Sequence, residues 1–382
     1  MIKIVHLITD LATGGAEVML LKLLSRLDRR FSSLVVSVTD AGTLGSSIEA
    51  LGIPVVTLGM RRGRPSARGL WALIRLLRKE RPQILQTWLY HADLLGLVAG
   101  KVAGVPLLVW NVRCSNMEMR DYRPLSGWVI RLLAFLSTWP DLVIVNSEAG
   151  RQFHEQVGYR PKRWAVIPNG FDLERFASDP GARQKLRAEL GLPGHARLIG
   201  MVARYDPMKD HATFLRAIKL VLASSTDVHV VLVGLGMEHG NRELTGMIED
   251  LGVGAHVHLL GERNDVPAIL AALDIATLSS AYGEGLPNVV GEAMACGVPC
   301  VVTDVGDSAV LVGDTGKVVP PRNPEALATA LAELIDLGPD GRRRLGDAAR
   351  QRIKAQFDLD TIVKQYERCY DELAAAAARA KG

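Results

Sequence analysis

Residues 279–300 read SSAYGEGLPNVVGEAMACGVPC, and this stretch is the most informative part of the sequence about the fold. An apolar run at 275–280 predicts a strand, the Gly/Pro-rich segment after it predicts a loop, and a helix is predicted to begin at about Asn288. Glu284 lies in that loop and Glu292 about one turn into the helix, with seven residues between them. The backbone from the loop into the helix is a helix N-terminus, whose N–H groups can face an anion. We therefore predict a strand–loop–helix unit that carries two carboxylates beside an anion site.

Strand-like apolar runs alternate with helical patterns along the rest of the chain, an order typical of parallel α/β sheets. In the first half, strands are predicted at 2–8, 34–38, 54–58, 84–87, 107–112 and 141–146, with helices at 16–27, 67–80, 91–103 and 124–138. In the second half, strands are predicted at 197–203, 228–233, 257–260, 275–280 and 299–303, with helices at 211–224, 239–251, 288–296 and 324–336, after a polar and mostly helical 173–193.

A Pro/Asn/Gly break near residue 168 separates the two series. The sequence thus predicts two Rossmann-like, doubly wound parallel-sheet domains, at 1–168 and 169–358, that face each other across a cleft. That architecture suits an activated donor bound to one domain and an acceptor bound to the other. A helix at 359–382 closes the chain, and we leave open whether it crosses back to the first domain.

The composition is that of an ordinary soluble protein. The chain has 382 residues, of which 48% are apolar and 23% charged, so it fits two domains and is not intrinsically disordered. The four cysteines, at 114, 296, 300 and 369, form neither a disulfide framework nor a zinc motif. No apolar run reaches the length of about 18 residues that a membrane span needs, and MIKIVHLITD predicts a strand rather than a signal peptide. We therefore expect a cytoplasmic protein.

Charge is distributed unevenly. Residues 1–168 contain 22 Lys and Arg against 12 Asp and Glu, a net +10, so the remainder, with 23 against 29, carries −6. Eight of these cations fall within 21 residues: Arg61, Arg62, Arg64, Arg68, Arg75, Arg78, Lys79 and Arg81. Either a solvated helix face with a loop or docking to anionic lipid headgroups explains the cluster. The apolar segment 127–139, GWVIRLLAFLSTW, is either a buried helix or an interfacial one. No nucleic-acid-binding module is recognisable.

Three other segments follow predicted strands. GMVARYDPMKDH at 200–211 places Arg204 and Lys209 after a strand end, where two cations can neutralise a diphosphate. TDLATGGAEVML follows the first strand, and its glycine pair, which ends at Gly15, lets the backbone at a helix N-terminus approach a phosphate closely. His91 follows the fourth predicted strand, and a purely structural histidine is the alternative interpretation there.

These segments, in this order, resemble glycosyltransferase family 4, the retaining transferases with the GT-B fold, and specifically members that build bacterial surface polysaccharides. The stretch 279–300 resembles the family's E-x7-E signature, in which the first glutamate lies by the donor hexose and the second holds the ribose. Residues 200–211 resemble the family's G-R-L-x-x-x-K-G segment, from which Tyr205 and Asp210 depart. After the last predicted strand many members have a glycine pair and a glutamate, and Asp307 is a candidate replacement for that glutamate.

The resemblance implies a role for each matching residue. Catalytic roles are implied for His91, Arg204, Lys209 and Glu284. The implied donor site consists of Gly15, Arg204, Lys209, Arg263, Asn264, Glu284, Gly285, Leu286, Pro287, Asn288 and Glu292, with Arg263 and Asn264 near the base. Glu17, Asn169 and Asp172 are assigned to the acceptor side or the interdomain segment, where a simple turn with an Asx-type hydrogen bond would also explain IPNGFD.

The implied reaction moves a hexosyl group, a hexose or N-acetylhexosamine, from a nucleotide sugar to a saccharide or lipid-linked saccharide acceptor. Uridine is the expected base, and the anomeric configuration is retained by same-face substitution, in which the departing phosphate oxygen takes the acceptor proton. No D-x-D pair follows a predicted strand, and we predict neither a metal nor any cofactor besides the donor. The expected partners are the nucleotide sugar, the acceptor and an anionic membrane contacted peripherally on its inner face, without nucleic acid.

Two other kinds of protein remain open at this point. A nucleotide-sugar 2-epimerase of the same fold would keep the donor site without an acceptor, although the order of the motifs disfavours it. A non-catalytic sugar-nucleotide-binding protein would bind the donor without turnover, although the pair of Arg204 and Lys209 disfavours it.

Overall fold

The computed structural model describes residues 1–61, 66–113 and 124–379. Its chain divides into two compact units, Met1–Gly170 together with Leu359–Gly382, and Phe171–Asp358. Each unit is built on one parallel β-sheet, so the predicted class of two Rossmann-like α/β domains is confirmed. Of the residues that the sequence singles out, Arg62, Arg64 and Cys114 lie outside the described part of the chain.

The first unit contains a seven-stranded sheet. Its strands are β1 (Ile2–Ile8), β2 (Phe31–Ser37), β3 (Val55–Thr57), β4 (Ile84–Trp88), β5 (Leu107–Val112), β6 (Leu142–Val145) and β7 (Trp164–Val166). The helices are α1 (Gly15–Arg26), α2 (Gly45–Ala50), α3 (Ala67–Glu80), α4 (Tyr90–Ala103), α5 (Pro124–Leu136), α6 (Glu148–Val157) and, from the end of the chain, α15 (Leu359–Arg379). The strand order is β3-β2-β1-β4-β5-β6-β7, and every pair is parallel, with Ile4 opposite both Ser33 and Ile84. The order reverses between β1 and β4, which makes that pair the switch point of the sheet.

Helices cover both faces of this sheet, as its nearly continuous apolar strands predict. On one face, α3 to α6 pack through side chains such as Leu73 and Leu133. On the other face, α1, α2 and α15 pack through side chains such as Leu20, Tyr366 and Tyr370. The last helix therefore belongs to the first unit.

The second unit contains a six-stranded parallel sheet. Its strands are β8 (Arg197–Val202), β9 (Val228–Val233), β10 (Val257–Leu259), β11 (Ile275–Leu278), β12 (Cys300–Thr303) and β13 (Lys317–Val319). Its helices are α7 (Pro180–Glu189), α8 (His211–Leu222), α9 (Arg242–Leu251), α10 (Val266–Ala272), α11 (Asn288–Ala295), α12 (Ser308–Val312), α13 (Pro324–Asp336) and α14 (Gly338–Gln356). The order is β10-β9-β8-β11-β12-β13, so the switch point lies between β8 and β11. One core, which includes Phe214, Ile218 and Leu331, joins the helices to the sheet.

The predicted elements and the observed ones differ mainly where an element is short or polar. The three-residue edge strands β7 and β13 were not predicted, nor were α2, α6, α10 and α12. The polar segment 173–193 was predicted to be mostly helical, but only α7 forms there, because Asp179 caps its N-terminus and Pro180 occupies its first turn. Strand β2 begins three residues before the predicted 34–38, since two serines interrupt its apolar pattern.

Two further features of the described residues are the state of their cysteines and the hydropathy of their helices. Cys296, Cys300 and Cys369 are buried free thiols, and burial raises the pKa of Cys296 to about 12. Across the described ranges, no helix is at once long enough and apolar enough to cross a membrane.

Candidate functional site

Most of the residues predicted for the donor lie at the switch point of the second sheet, whereas Arg263 and Asn264 follow the edge strand β10 and Gly15 belongs to the first unit. Strands β8 and β11 are hydrogen-bonded neighbours, with Ile199 opposite Ile275. The carboxyl end of β8 leads into the loop that carries Arg204 and Lys209, and the carboxyl end of β11 leads into the loop that carries Glu284. Ligands of doubly wound sheets bind outside the carboxyl ends of strands at such a point.

A tight turn holds Lys209 in place. Pro207–Lys209 form one turn of 3-10 helix, capped by the Asp206 carboxylate, which accepts a hydrogen bond from Met208 N at 3.0 Å. The next residue, Asp210, adopts the left-handed conformation with φ +49°, and its side chain accepts from Thr213 N at 3.1 Å to cap α8. Aspartate tolerates this backbone region better than most residues do. Asp210 therefore supplies the turn that the family pattern assigns to glycine.

Glu284 and Lys209 form a largely buried ion pair. Lys209 Nζ donates to Glu284 Oε1 at 2.5 Å, and Ser280 Oγ donates to the same oxygen, also at 2.5 Å. Ser279 Oγ donates to the carbonyl oxygen of Lys209 at 2.9 Å. Thr303 Oγ1 in turn donates to the carbonyl oxygen of Ser280 at 2.6 Å. The two loops at the switch point are thus joined by both side-chain and backbone groups.

Glycines allow a close approach of neighbouring backbones around Glu284. Gly306 has φ +61°, and a Cβ there would lie 2.3 Å from the carbonyl oxygen of Glu284. Asp307 N donates to the carbonyl oxygen of Gly285 at 2.8 Å. On the other side, Gly283 has φ +80°, and a Cβ there would lie 2.4 Å from Sδ of Met208. The loop is therefore held from both sides, with the backbone of Asp307 as one contact.

Helix α11 begins at Asn288, with Pro287 at its N-cap position, as predicted. Leu286, just before it, is buried in the core of the second unit. Glu292 lies in the second turn and is partly exposed. Its neighbour Gly291 packs so closely on the Phe171 ring that a Cβ would lie 2.1 Å from it. The helix is therefore closely packed, and the start of a helix is a place where first-turn N–H groups can bind an anion.

Arg204 occupies the exposed edge of the site. Its side chain is 55% exposed, and Nε donates to Asp206 Oδ2 at 3.0 Å, so one edge of the guanidinium is oriented. Tyr205, the departure from the family pattern, donates its backbone N–H to Leu235 O at 2.7 Å. Its ring lies 5.2 Å, centre to centre, from the ring of His211. Tyr205 thus fixes the backbone between the two cations.

The loop predicted to recognise the base carries a side chain that is already paired. Arg263 Nη1 donates to Glu189 Oε1 at 2.6 Å, and Nη2 donates to Asp265 Oδ2 at 2.8 Å. These two carboxylates raise the pKa of the guanidinium further above its usual range. Asn264 beside it is exposed. Arg263 consequently orders the loop, and Asn264 and the loop backbone are the groups open to a base.

The switch point of the first sheet carries a second set of predicted residues. After β1, helix α1 starts at Gly15, and a Cβ at Gly14 would lie 2.4 Å from Glu17 Oε2, so this carboxylate folds back over the helix N-terminus. After β4, Leu89 has φ +72°, a costly conformation for a branched residue. His91 follows in the first turn of α4 and is exposed. Strained backbone of this kind concentrates at functional sites.

Asn169 contacts a residue distant in the sequence, whereas Asp172 stabilises a local turn. The buried Asn169 accepts a hydrogen bond from Arg113 Nη2, while Arg113 Nη1 donates to the Tyr366 hydroxyl at 3.1 Å. Asp172 Oδ1 accepts from the backbone N–H groups of Glu174 and Arg175, both at 3.0 Å, which forms an Asx turn. These contacts give both residues a structural role.

Some residues of the site escaped the sequence interpretation. Ser280 follows β11 four residues before Glu284, and Asp206 lies two residues after Arg204, so proximity to the motifs was a usable signal for both. Arg113 follows β5 and lies over the Trp88 ring, 5.6 Å from its centre. A lone arginine after a strand gives no such signal, because its partners are distant in sequence.

Comparisons with known proteins agree with this architecture. The family model described as Glycosyltransferase Family 4 matches residues 13–175, and the model described as Glycosyl transferases group 1 matches residues 182–352. The chain is 29% identical, over 70% of its length and 70% of the relative's, to the UDP-Gal:alpha-D-GlcNAc-diphosphoundecaprenol alpha-1,3-galactosyltransferase of Escherichia coli. It is 32% identical to the D-inositol 3-phosphate glycosyltransferase of Geodermatophilus obscurus, over 63% of this chain and 55% of that one.

Solved structures show the same fold. The crystal structure of Anabaena Alr3699/HepE in complex with UDP-glucose has a TM-score of 0.85 and 26% identity, and the match covers 97% of this chain and 100% of that one. A sucrose-phosphate synthase from Thermosynechococcus elongatus has a TM-score of 0.83 at 19% identity, covering 98% and 100%. The two family models occupy the two sheets described above, and each switch point carries the expected residue types. The chain therefore belongs to glycosyltransferase family 4 and is a GT-B glycosyltransferase.

Proposed function

We propose that this glycosyltransferase moves a hexosyl group, a hexose or N-acetylhexosamine, from a UDP-sugar to a saccharide or lipid-linked saccharide in polysaccharide or glycolipid synthesis. The observation that carries the proposal is the pair of Lys209 and Glu284 at the switch point of the second sheet. Arg204 lies on the same loop as Lys209, and α11 begins four residues after Glu284. Two cations, a carboxylate and a helix N-terminus suit a sugar linked to a diphosphate. The complex of HepE with UDP-glucose supports this choice of donor.

The cations replace a metal in this proposal. As the bond between the anomeric carbon and the phosphate oxygen breaks, negative charge grows on the diphosphate. Arg204, Lys209 and the N–H groups at the start of α11 can offset that charge without a bound ion. Turnover is therefore expected to persist in a chelator.

The remaining donor contacts follow the positions of the side chains. Glu284, held on one oxygen by Lys209 and Ser280, orients the hexose hydroxyls, and Glu292 accepts hydrogen bonds from the ribose hydroxyls. The loop that carries Asn264 contacts the base. Carboxylates suit these positions because they present only acceptor oxygens to the hydroxyl groups of a sugar.

We assign the acceptor to the first unit. We assign Gly15 and the start of α1 a role toward the donor phosphates and His91 a role toward the anomeric centre, with Glu17, Asn169 and Asp172 as further candidates on the acceptor side. The acceptor oxygen attacks the face from which the phosphate leaves, so the configuration is retained. The acceptor proton passes to the departing phosphate oxygen, which balances the step. No side chain needs to form a covalent intermediate.

A lipid-linked acceptor would bring the enzyme to a membrane surface. The name of the Escherichia coli relative describes an acceptor linked through a diphosphate to undecaprenol. The described part of the first unit is rich in cations, which suits a peripheral contact with an anionic membrane. We therefore include peripheral membrane association in the proposal.

Ligand-induced stabilisation tests the donor site directly. UDP at a hundredfold excess over its dissociation constant should stabilise the protein by about 2.7 kcal/mol, with EDTA present throughout. The shift should be lost in Glu292→Ala and Arg204→Ala, and kept in the matched surface variants Glu249→Ala and Arg216→Ala, which lie on exposed positions of α9 and α8. A shift that survives in the site variants would contradict this assignment.

Product analysis separates the proposed reaction from its alternatives. Incubation with UDP-glucose, UDP-galactose or UDP-N-acetylglucosamine and a lipid-diphosphate-linked saccharide should release UDP, and NMR of the product should show the anomeric configuration of the donor. An epimerised nucleotide sugar formed without an acceptor would identify a 2-epimerase instead. UDP binding with no turnover of any donor would identify a non-catalytic binding protein.

A further inference from the structure

Helix α5 exposes an apolar face. Trp128, Leu132 and Phe135 recur at helical spacing on α5, Trp139 lies three residues after its end, and the four side chains are 70%, 45%, 80% and 51% exposed. We call these four residues the aromatic ridge. The opposite side of the helix is buried against the sheet through residues such as Leu133. The ridge is therefore a second apolar face, separate from the face of α5 that packs in the core.

Cations flank the ridge on the neighbouring helices. On α3, Arg68, Arg75 and Arg78 share a face with Trp71, which is 59% exposed. Helix α3 packs on α4, where Arg78 Nη2 donates to the carbonyl oxygen of Val102 at 3.1 Å.

Helix α4 completes the connection to α5. Helix α4 packs on α5, and Lys101 Nζ lies 5.7 Å from the centre of the Trp139 ring, just after the end of α5. The outer faces of α3, α4 and α5 are thus one continuous surface.

This surface has almost no acidic residue. The three helices contain six cations, Arg68, Arg75, Arg78, Lys79, Lys101 and Arg131, and all six are exposed. They contain two acids. Asp93 is buried and does not lie on the surface, and burial raises its pKa well above the usual range. Glu80 pairs with Lys3 at 2.6 Å. The surface therefore presents aromatic side chains among exposed cations, and its net charge is positive.

Aromatic rings beside lysines and arginines suit the interface of a bilayer, where rings sit at headgroup depth and cations contact anionic lipids. A protein partner would be expected to meet a rim of mixed charge, which these three helices do not provide. We propose that the aromatic ridge inserts into the headgroup region of an anionic membrane while the cations of α3, α4 and α5 bind its lipid phosphates. The inference rests on the proposed function in one respect, because the lipid-linked acceptor gives the protein a reason to contact a membrane.

The ridge is placed to bring the acceptor site to the membrane. A helix that follows a parallel strand runs back antiparallel to it, so α4 and α5 both begin at the carboxyl end of the first sheet. His91 lies at that end, in the first turn of α4. The ridge runs from this end, at Trp128, to the opposite end, at Trp139. Docking along it would hold the His91 edge beside the headgroups.

Vesicle binding tests the ridge. The full-length protein should co-sediment with vesicles that contain about 30% phosphatidylglycerol in phosphatidylcholine, and bind those of pure phosphatidylcholine at least about tenfold more weakly. The double variant Trp128→Ser/Phe135→Ser should lose about tenfold or more in affinity for the anionic vesicles. Arg75→Glu/Arg131→Glu should lose affinity chiefly at low salt, since screening weakens the charge contribution in every variant.

Leu220→Ser is the matched control, because Leu220 is a 46% exposed apolar residue on α8 of the second unit. It should bind vesicles like the unsubstituted protein. Equal binding by the ridge variant, or no binding by the unsubstituted protein, would overturn the inference. A dimer that the ridge substitutions dissociate, without vesicle binding, would also overturn it and identify a second copy as the occupant.

The thermal shift with UDP separates this inference from the proposed reaction. The ridge variants should keep the UDP-dependent stabilisation and turnover of a water-soluble acceptor. Vesicle binding without any UDP effect would support the ridge and contradict the proposed donor. Stabilisation by UDP without vesicle binding would support the proposed donor and contradict the ridge.

Discussion

Lys209 Nζ lies 2.5 Å from Glu284 Oε1, and the two side chains are only 13% and 9% exposed. A charge this poorly hydrated is stable only while its partner remains, because the cost of removing it from water is offset within the pair. The pair also joins the loops that follow β8 and β11. One contact therefore links the stability of the donor site to its chemistry.

Substitution of Lys209 should affect both properties. We expect Lys209→Gln to lower turnover of the UDP-sugar by about 10²–10³-fold, since a cation that faces the leaving diphosphate is lost. The unfolding free energy should also fall, by about 3 kcal/mol, because the buried Glu284 loses its cation. Steady-state kinetics and urea denaturation measure the two effects. Lys219→Gln, at an exposed position of α8, is the control and should change neither. Unchanged turnover in Lys209→Gln would remove Lys209 from the catalytic site.

Asp210 should be sensitive to the loss of both its conformation and its cap. Asp210→Ala should cost about 2 kcal/mol in urea denaturation, because alanine neither tolerates φ +49° nor accepts from Thr213 N. Asp210→Gly should cost less, since glycine restores the backbone freedom and loses only the cap. Asp210→Asn keeps both functions and should be close to neutral. Equal costs for alanine and asparagine would show that the turn does not depend on this residue.

The sheets, and the strand–loop–helix unit that carries the candidate site, could be predicted from the sequence because both depend on local patterns. Apolar runs marked most strands, and the Gly/Pro loop before Asn288 marked the start of α11. The features that could not be predicted depend on contacts between residues that are distant in the sequence. Arg263 is paired with Glu189, which is 74 residues away, so its paired state has no local signature. The exposure of Trp128 was equally undecidable, since a buried and an interfacial amphipathic helix share one sequence pattern.

As the pH is lowered, the unfolding free energy should begin to fall at a higher pH than protonation of carboxylates alone would cause. Burial lowers the pKa of His6 to about 3, and lowers that of His154 and of His211 to about 4. Below about pH 6.5 the unfolded chain therefore binds more protons at these sites than the folded chain does, so the unfolding free energy decreases as pH falls toward 4. Three such groups give a slope of up to about 4 kcal/mol per pH unit.

Urea denaturation at several pH values between about 7 and 5 checks this expectation. His239→Gln, at an exposed histidine of the second unit, is the control and should leave the pH profile unchanged. Stability that stays constant or rises over this interval would show that the three buried histidines do not remain neutral in the folded protein.

Asp274 should be the most costly carboxylate to remove from the second unit. It accepts hydrogen bonds from the buried Arg187 Nη2 at 2.7 Å, from Arg183 Nη1 at 2.6 Å and from Leu198 N at 2.8 Å. Asp274→Ala should lower the unfolding free energy by about 3–5 kcal/mol, because Arg187 is left as an uncompensated buried charge. Asp227→Ala is the matched control, since its pair with Arg197 is partly exposed, and it should cost less than about 1 kcal/mol. Similar costs for the two variants would contradict the burial argument.

Gly306→Ala should damage the donor site through the backbone. Its φ of +61° is unfavourable for alanine, and the added methyl group would lie 2.3 Å from the carbonyl oxygen of Glu284, so the loop that carries this carboxylate must move. Gly252→Ala isolates the first effect, because Gly252 has φ +69° with nothing within 4 Å of the new methyl group. Both variants should lose about 1 kcal/mol from the left-handed conformation, but only Gly306→Ala should lose about 1–3 kcal/mol more from the displaced backbone. Calorimetric titration with UDP should show weaker binding in Gly306→Ala alone. If both variants bind UDP equally well, the position of the Glu284 loop does not govern donor affinity.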